Sequence, residues 1–140
     1  MPDLAPFLSD YDHVVEITLT RVKGSSPRDA GTVMYAAKGA LWGTVGGGQL
    51  EYMLIDHARA MLAKDVKSDT LNIPLGPEIG QCCGGHVTAA LMQMDQTQKA
   101  AAITAAQETI DALPHVYVMG AGHVGRALAS QLQHLPVRCI

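Results

Sequence analysis

The segment VVEITLTRV (residues 14–22) decides the fold of the first part of the chain. Its apolar and polar side chains alternate, and a period of two residues is typical of a half-buried β-strand. The next segment, KGSSPR (residues 23–28), consists of turn-forming residues and predicts a loop. The same criteria predict four more strands, the first two of which form a hairpin around Lys38 and Gly39: residues 32–36, 41–45, 70–74 and 87–94.

Residues 50–62 predict one amphipathic helix. Their apolar side chains recur at intervals of three and four residues, which is the spacing of a single helix face. His57 lies on this face, and we expect it to be a core residue. Together, the strands and the helix predict an α+β domain over residues 1–94, with a mixed or antiparallel sheet and a helix packed on it.

The last third of the chain predicts a different architecture. Residues 95–114 are rich in Ala and Gln and end at Pro114, which predicts a linker helix. Residues 115–140 show a strand, a helix and the start of a second strand, so we expect a truncated Rossmann-like β-α-β unit. The rest of a sheet would normally cover its apolar side chains. We therefore expect this segment to pack against a second copy, forming a homo-oligomer, or to be the least stable part of the chain.

The composition excludes several classes of protein. The 140 residues are 48% hydrophobic and 16% charged, which is enough apolar sequence to build a core. The formal net charge is −3 and aromatic residues make up 4%, so we expect no nucleic-acid binding. No apolar run approaches the roughly 20 residues of a membrane span, and no basic-then-apolar leader opens the chain. With only three cysteines, we expect a cytoplasmic protein without a disulfide framework.

The segment GAGHVG (residues 120–125) lies between a predicted strand and a predicted helix. In dinucleotide-binding folds, glycines at the positions of Gly120, Gly122 and Gly125 make the turn, admit a pyrophosphate and let helix and strand pack closely. The motif alone is a weak indication of nucleotide binding. The bland alternative is that these glycines only permit tight packing.

The segment GQCCGGH (residues 80–86) places two adjacent thiols in a glycine-rich turn. Backbone amides can lower the pKa of a thiol there and prepare Cys82 or Cys83 to bind a soft metal. Three alternatives stay open: a nucleophilic cysteine paired with His86, a redox switch based on a disulfide between the two cysteines, and a turn with two inert thiols.

The segment VGGGQLE (residues 45–51) opens the amphipathic helix with three glycines. Free N–H groups at Gly46, Gly47 and Gly48, together with the helix dipole, predict an anion site. Four residues of the first loop are candidate side-chain donors to the same anion: Lys23, Ser25, Ser26 and Arg28. For Glu51, in the first helical turn, we favour a dipole-stabilising role over a catalytic one.

Four segments, in this order, resemble the XdhC/CoxI family of accessory proteins of xanthine dehydrogenase and related molybdenum hydroxylases. The resemblance spans residues 14–140 and rests on KGSSPR (23–28), GTVGGGQLE (43–51), LGPEIGQCCGGHV (75–87) and VMGAGHVGR (118–126). Two features depart from the family. Its members continue into a complete Rossmann-like domain, and some carry Cys where Gln49 stands.

The resemblance implies a cytoplasmic chaperone rather than an enzyme. Such proteins bind molybdenum cofactor (molybdopterin), associate with a cysteine desulfurase during its sulfuration, and insert it into a dehydrogenase of purine catabolism. The resemblance places a cofactor-binding cysteine at Cys82 or Cys83, flanked by Gln81 and Gly84. The thiol turn would then hold the molybdenum, and the glycines at 46–48 would hold the phosphate. The alternative from another class is a fragment of an NAD(P)-dependent oxidoreductase, which rests on the glycines of residues 120–125 alone.

Overall fold

The structure, a computed structural model, describes residues 3–79 and 84–140. The chain forms two compact units, residues 2–97 and residues 98–140. The predicted division into residues 1–94, 95–114 and 115–140 stays a prediction. In the described part of the chain, no helix is long and apolar enough to cross a membrane.

The first unit is built on a five-stranded antiparallel sheet with strand order β3-β2-β1-β5-β4. This confirms the predicted α+β class and selects the antiparallel alternative. The elements of the unit are α1 (Leu4–Asp10), β1 (Val14–Lys23), β2 (Val33–Ala37), β3 (Leu41–Trp42), α2 (Gly48–Lys64), β4 (Ser68–Pro74), a 3₁₀ turn (Pro77–Ile79) and β5 (His86–Gln93). Helix α1 was not predicted, and β3 is shorter than the predicted strand of residues 41–45.

Helix α2 covers one face of this sheet and closes the core. It packs on β1, β2 and β5, and we call the face that it covers the inner face. The buried side chains of α2 follow the predicted helical spacing: Leu50, Leu54, Ile55, Ala58 and Met61. The helix ends at Asp65, whose left-handed backbone (φ 55°) lets its N–H reach back to the carbonyls of the last turn.

A β-bulge in β1 changes which side chains face the core. Ile17 and Leu19 point inward, but the pairing of β1 with β5 shifts between Leu19 and Arg21, which leaves one extra residue, Thr20. Beyond the bulge Val22 packs against the core, so Arg21 and Lys23 lie on the outer face, opposite α2. Without the extra residue, the two cationic side chains would point into the core.

The expectation that His57 is a core residue is wrong. Its side chain is 33% exposed, and its Nε2 lies 2.7 Å from Oδ2 of Asp69 on β4. This hydrogen bond is the largest cause that lowers the pKa of Asp69, and the backbone N–H of Thr70 lowers it further. His57 therefore ties the rim of α2 to the sheet. The apolar spacing alone did not distinguish the rim of the helix face from its centre.

The second unit contains the predicted β-α-β pattern. Its elements are α3 (Gln96–Asp111, which begins in the first unit), β6 (His115–Val116), α4 (His123–Leu132) and β7 (Arg138–Cys139). Strands β6 and β7 are parallel, as a β-α-β connection requires. No residue from 100 to 140 is buried, and Met119 and Val124 are 91% and 81% exposed. The expectation that this apolar surface pairs with a second copy stays a prediction.

Candidate functional site

The loop after β1 lies directly against the glycines that follow the two cysteines. Ser25 and Gly84 form a parallel backbone bridge. A Cβ on Gly85 would lie 2.1 Å from the carbonyl oxygen of Ser25 and 2.8 Å from that of Lys23. Only a glycine permits this approach, because the atoms in the way are backbone. The structure thus joins the KGSSPR loop (residues 23–28) to Gly84 and Gly85, about 60 residues later in the sequence.

The glycine loop before α2 packs on the same segment. Gly46 has φ +119°, and a Cβ there would lie 2.6 Å from Cγ of Pro27. Three loops therefore meet at one end of the sheet, namely residues 23–28, 44–48 and 84–86, and we call this cluster the loop junction. The first loop therefore lies against the glycine run, as the candidate donor role of its residues requires.

Ser26 carries a buried hydroxyl within the loop junction. Among the described residues, its Oγ is the buried side-chain polar atom that has no hydrogen-bond partner. Lys23, Ser25 and Arg28, which are close to Ser26 in the sequence, have exposed side chains. A buried hydroxyl without a partner is unfavourable by about 1–3 kcal/mol, and a ligand oxygen or nitrogen would remove that cost.

Glu51 fills the anion site that the glycine loop was predicted to offer. Its Oε2 accepts hydrogen bonds from the N–H groups of Val45 and Gly47, each at 3.0 Å, and from Oγ1 of Thr44. The N–H of Gly46 donates to Oγ1 of Thr44 at 3.1 Å. The prediction of free N–H groups is therefore wrong at Gly46 and Gly47. The carboxylate of the chain itself is the bound anion there.

The role of Glu51 thus differs from both roles considered for it. A dipole-stabilising carboxylate only needs to sit in the first turn of a helix, whereas Glu51 reaches back to three donors in the preceding loop. This closes the loop from Thr44 to Gly47 and presents Gly46 to Pro27. Sequence reasoning found the residue but not this contact, because it depends on the backbone path of the three glycines.

We expect Glu51→Ala to lower the free energy of unfolding by about 1–2 kcal/mol, as the loss of a helix-capping acceptor does. Water can replace only part of the lost acceptor, because the bonds from Val45 and Gly47 are partly buried. Asp56→Ala is the matched control, since Asp56 is an exposed carboxylate on the same helix. Urea unfolding followed by circular dichroism measures both. Equal losses for the two variants would contradict the assigned role.

The cysteines of the candidate site lie outside the described residues, as does Gln81. Their predicted roles as metal ligand, nucleophile or redox pair therefore stay predictions. Gly84, which follows Cys83 in the chain, is in the loop junction through its bridge to Ser25. His86 begins β5, where it pairs with Lys23 on one side and Pro74 on the other. Across residues 3–79 and 84–140, no three His, Cys, Asp or Glu side chains form a metal-binding group.

In the second unit, the glycines of residues 120–125 have part of the predicted geometry. Gly120 has φ +103°, and α4 begins directly after Gly122. A Cβ on Gly125 would lie 2.1 Å from the carbonyl oxygen of Gly120, so the third glycine permits the close packing expected of it. The purely structural alternative, that the glycines only permit tight packing, accounts for these three features. Nucleotide binding at Gly120, Gly122 and Gly125 stays a prediction.

Comparison with known proteins gives one family and one fold. The XdhC and CoxI family matches residues 8–73. Among solved structures, the chain is similar to a crystal structure of a xanthine dehydrogenase from Bacillus halodurans, with a TM-score of 0.65 and 24% sequence identity. The similarity covers 79% of this chain and 36% of that one, so the chain spans about a third of the length of its structural neighbour. No curated protein sequence matches the chain significantly.

Proposed function

We propose, for a chain that belongs to the XdhC and CoxI family through residues 8–73, an accessory role in the maturation of a molybdenum hydroxylase. The protein binds molybdenum cofactor and delivers it to xanthine dehydrogenase or a related enzyme, and it is not itself the catalyst. A cysteine desulfurase that sulfurates the cofactor is its second partner. Two loops of the loop junction, residues 23–28 and 44–48, lie within the matched range. The region that carries the family relationship also builds most of the candidate site.

The observation that carries this proposal is the buried, unpartnered hydroxyl of Ser26. It lies in a loop whose exposed cations, Lys23 and Arg28, suit an anionic ligand that is rich in oxygen atoms. Molybdopterin is a ligand of this kind, because it combines a polar pterin with a phosphate and a thiophilic metal. The donor set of the loop junction therefore fits the cofactor.

Each candidate site residue would have a distinct part in holding the cofactor. When bound, the cofactor carries the metal centre that its target enzyme will use. Ser26 would supply a hydrogen bond, and Lys23 and Arg28 would balance negative charge. Cys82 or Cys83 would offer a thiolate to the metal. Glu51 acts indirectly, because it keeps the glycine loop closed against Pro27.

We expect Ser26→Ala to weaken retention of the cofactor about tenfold, the equivalent of one lost hydrogen bond, without lowering stability. Stability is preserved or raised because the variant removes a buried polar atom that has no partner. Ser9→Ala, at an exposed serine of α1, is the matched control. The measurement is co-elution of reduced, full-length protein with molybdenum cofactor in gel filtration under anaerobic conditions. Urea unfolding is measured on the same samples.

Several outcomes would contradict the proposal. Absence of cofactor from the wild-type peak would contradict cofactor binding as a whole. Equal retention by Ser26→Ala and Ser9→Ala would remove the loop junction from the site. Unchanged retention by Cys82→Ala and by Cys83→Ala would remove the thiols. Retention of NAD(P) in place of the pterin would favour the oxidoreductase alternative.

A further inference from the structure

The strand register gathers hydrogen-bond donors on the outer face of the sheet, beside the loop junction. Arg21 on β1 lies opposite Thr88 on β5, which lies opposite Asn72 on β4. One row nearer to the junction, Lys23 lies opposite His86. We call these five residues the outer-face patch. All five are at least partly exposed, and the bulge at Thr20 is what brings Arg21 and Lys23 to this face.

Apart from the hydroxyl of Thr88, the side chains of the patch leave donors available. Oγ1 of Thr88 donates to Oδ1 of Asn72 at 2.8 Å, which occupies the amide oxygen of Asn72 and leaves its NH₂ group for another partner. Thr88 is itself anchored, because its carbonyl accepts a hydrogen bond from Thr20. Among the described residues, no carboxylate forms an ion pair with Arg21 or Lys23.

The patch has the chemistry and the size of a phosphate-ester site. Neighbouring strands lie about 4.8 Å apart, so β1, β5 and β4 spread these donors over about 10 Å. A guanidinium can bind two oxygens of a phosphate at once, and an ammonium, an amide NH₂ and an imidazole N–H can each bind one more. A surface that offers many donors and no carboxylate favours an anion.

The outer-face patch matters because Glu51 already occupies the glycine loop that was predicted to bind a phosphate. The N–H groups of Val45 and Gly47 are bonded to Glu51, and that of Gly46 to Thr44, so two of the three glycine N–H groups predicted to hold a phosphate are already engaged. The outer-face patch lies one residue pair from the Ser25–Gly84 bridge, on the same end of the sheet. A ligand held at the loop junction can therefore extend a phosphate toward it.

We propose that the outer-face patch binds the phosphate group of the ligand held at the loop junction, in place of the glycine loop. This rests on the proposed function for the identity of that ligand, and on the described geometry for the location of the phosphate. The recognised chemistry is a phosphate ester or a pyrophosphate. The cofactor and free anions share it, and the experiment separates the two sources.

The first measurement uses inorganic pyrophosphate as the probe and follows backbone amide signals of the full chain by NMR. We expect shifts around Arg21, Asn72 and His86. The double variant Arg21→Gln with Lys23→Gln should weaken pyrophosphate binding by about tenfold or more, as the loss of two charge-assisted contacts implies. The matched control, Arg59→Gln with Lys64→Gln, removes the same charge from exposed positions on α2, across the sheet. Shifts confined to residues 44–48, or equal weakening in both double variants, would overturn the proposal.

The second measurement repeats the cofactor retention assay with the same two double variants. We expect only the Arg21 and Lys23 variant to release the cofactor, and we expect pyrophosphate to compete with the cofactor for the wild-type chain. Cofactor retained equally by both variants would refute the patch and the charge-balancing part given to Lys23, and it would leave cofactor binding through Ser26, Arg28 and the thiols standing. Pyrophosphate binding at the patch by a chain that never retains cofactor would refute the proposed function and leave the patch as a site for free anions.

Discussion

Gly85→Ala is expected to destabilise the first unit by about 3 kcal/mol, at the upper end of what forced overpacking costs. Its Cβ would have to occupy space 2.1 Å from the carbonyl oxygen of Ser25 and 2.8 Å from that of Lys23. Both obstacles are backbone atoms, so no side chain can rotate away to relieve the clash. Either β5 or the loop after β1 must move, and the contact between two of the three loops is lost with that movement.

Gly76→Ala provides the comparison for this substitution. Gly76 lies in the loop between β4 and the 3₁₀ turn, has an ordinary backbone conformation, and has no atom within 4 Å of the site of a Cβ. Urea unfolding curves for the two variants should differ by a clear shift in midpoint. The cofactor retention assay should register a loss for Gly85→Ala alone. If the two alanine variants unfold at the same urea concentration, the close approach of the loops is wrong.

Alkaline titration of Tyr35 should lower the free energy of unfolding by about 1.4 kcal/mol at pH 11 and by nearly 3 kcal/mol above pH 12, at about 1.4 kcal/mol for each pKa unit. Burial, together with the charge and the hydrogen bond of the adjacent Glu16, raises the pKa of Tyr35 from 10.0 to about 12. Because the folded-state pKa is the higher one, the stabilisation is complete below pH 10 and is lost as the pH rises toward 12. A tyrosinate would be buried at a 6% exposed position beside a carboxylate.

The matching variants isolate this contribution. Tyr35→Phe should remove this part of the decrease in the free energy of unfolding at alkaline pH, because phenylalanine has no hydroxyl to ionise. Tyr117→Phe, at a 62% exposed position, should leave the pH dependence of the wild type unchanged. Unfolding midpoints between pH 9 and pH 11.5 measure the effect, and absorbance at 295 nm follows tyrosinate formation directly. A Tyr35→Phe curve that parallels the wild type throughout would contradict the assignment.

The sequence predicted the elements of the fold well where the signal is local. The alternation of residues 14–22 and the helical spacing of residues 50–62 each report one element and its buried face. Helix α1 was missed because its seven residues include Pro6 and are too few to show a period. The strand order could not be predicted, since β1 pairs with β5 about 70 residues away, and only tertiary packing selects that partner.

The sequence predicted the separate motifs of the candidate site but not the contacts that join them. The motifs around Ser26, Gly46 and Gly84 do meet, yet the contacts that join them are close backbone approaches, which no residue pattern announces. The bulge at Thr20 did leave a trace. Val22 is out of phase with Ile17 and Leu19, and a strict count of the alternation predicts an extra residue between them. Read in that way, the segment indicates that Arg21 and Lys23 face outward.

The bulge also determines which changes of chain length β1 can accept. In a strand, odd-numbered and even-numbered residues face opposite sides of the sheet. The extra residue at Thr20 reverses this assignment once, between the half of β1 that lines the core and the half that leads to the loop junction. Removing or adding a single residue there exchanges Val22 with its cationic neighbours, whereas a change of two residues preserves every assignment of side chain to face. Insertions and deletions in this stretch are therefore constrained by parity, and the spacing from Leu19 to the KGSSPR loop can vary only in steps of two.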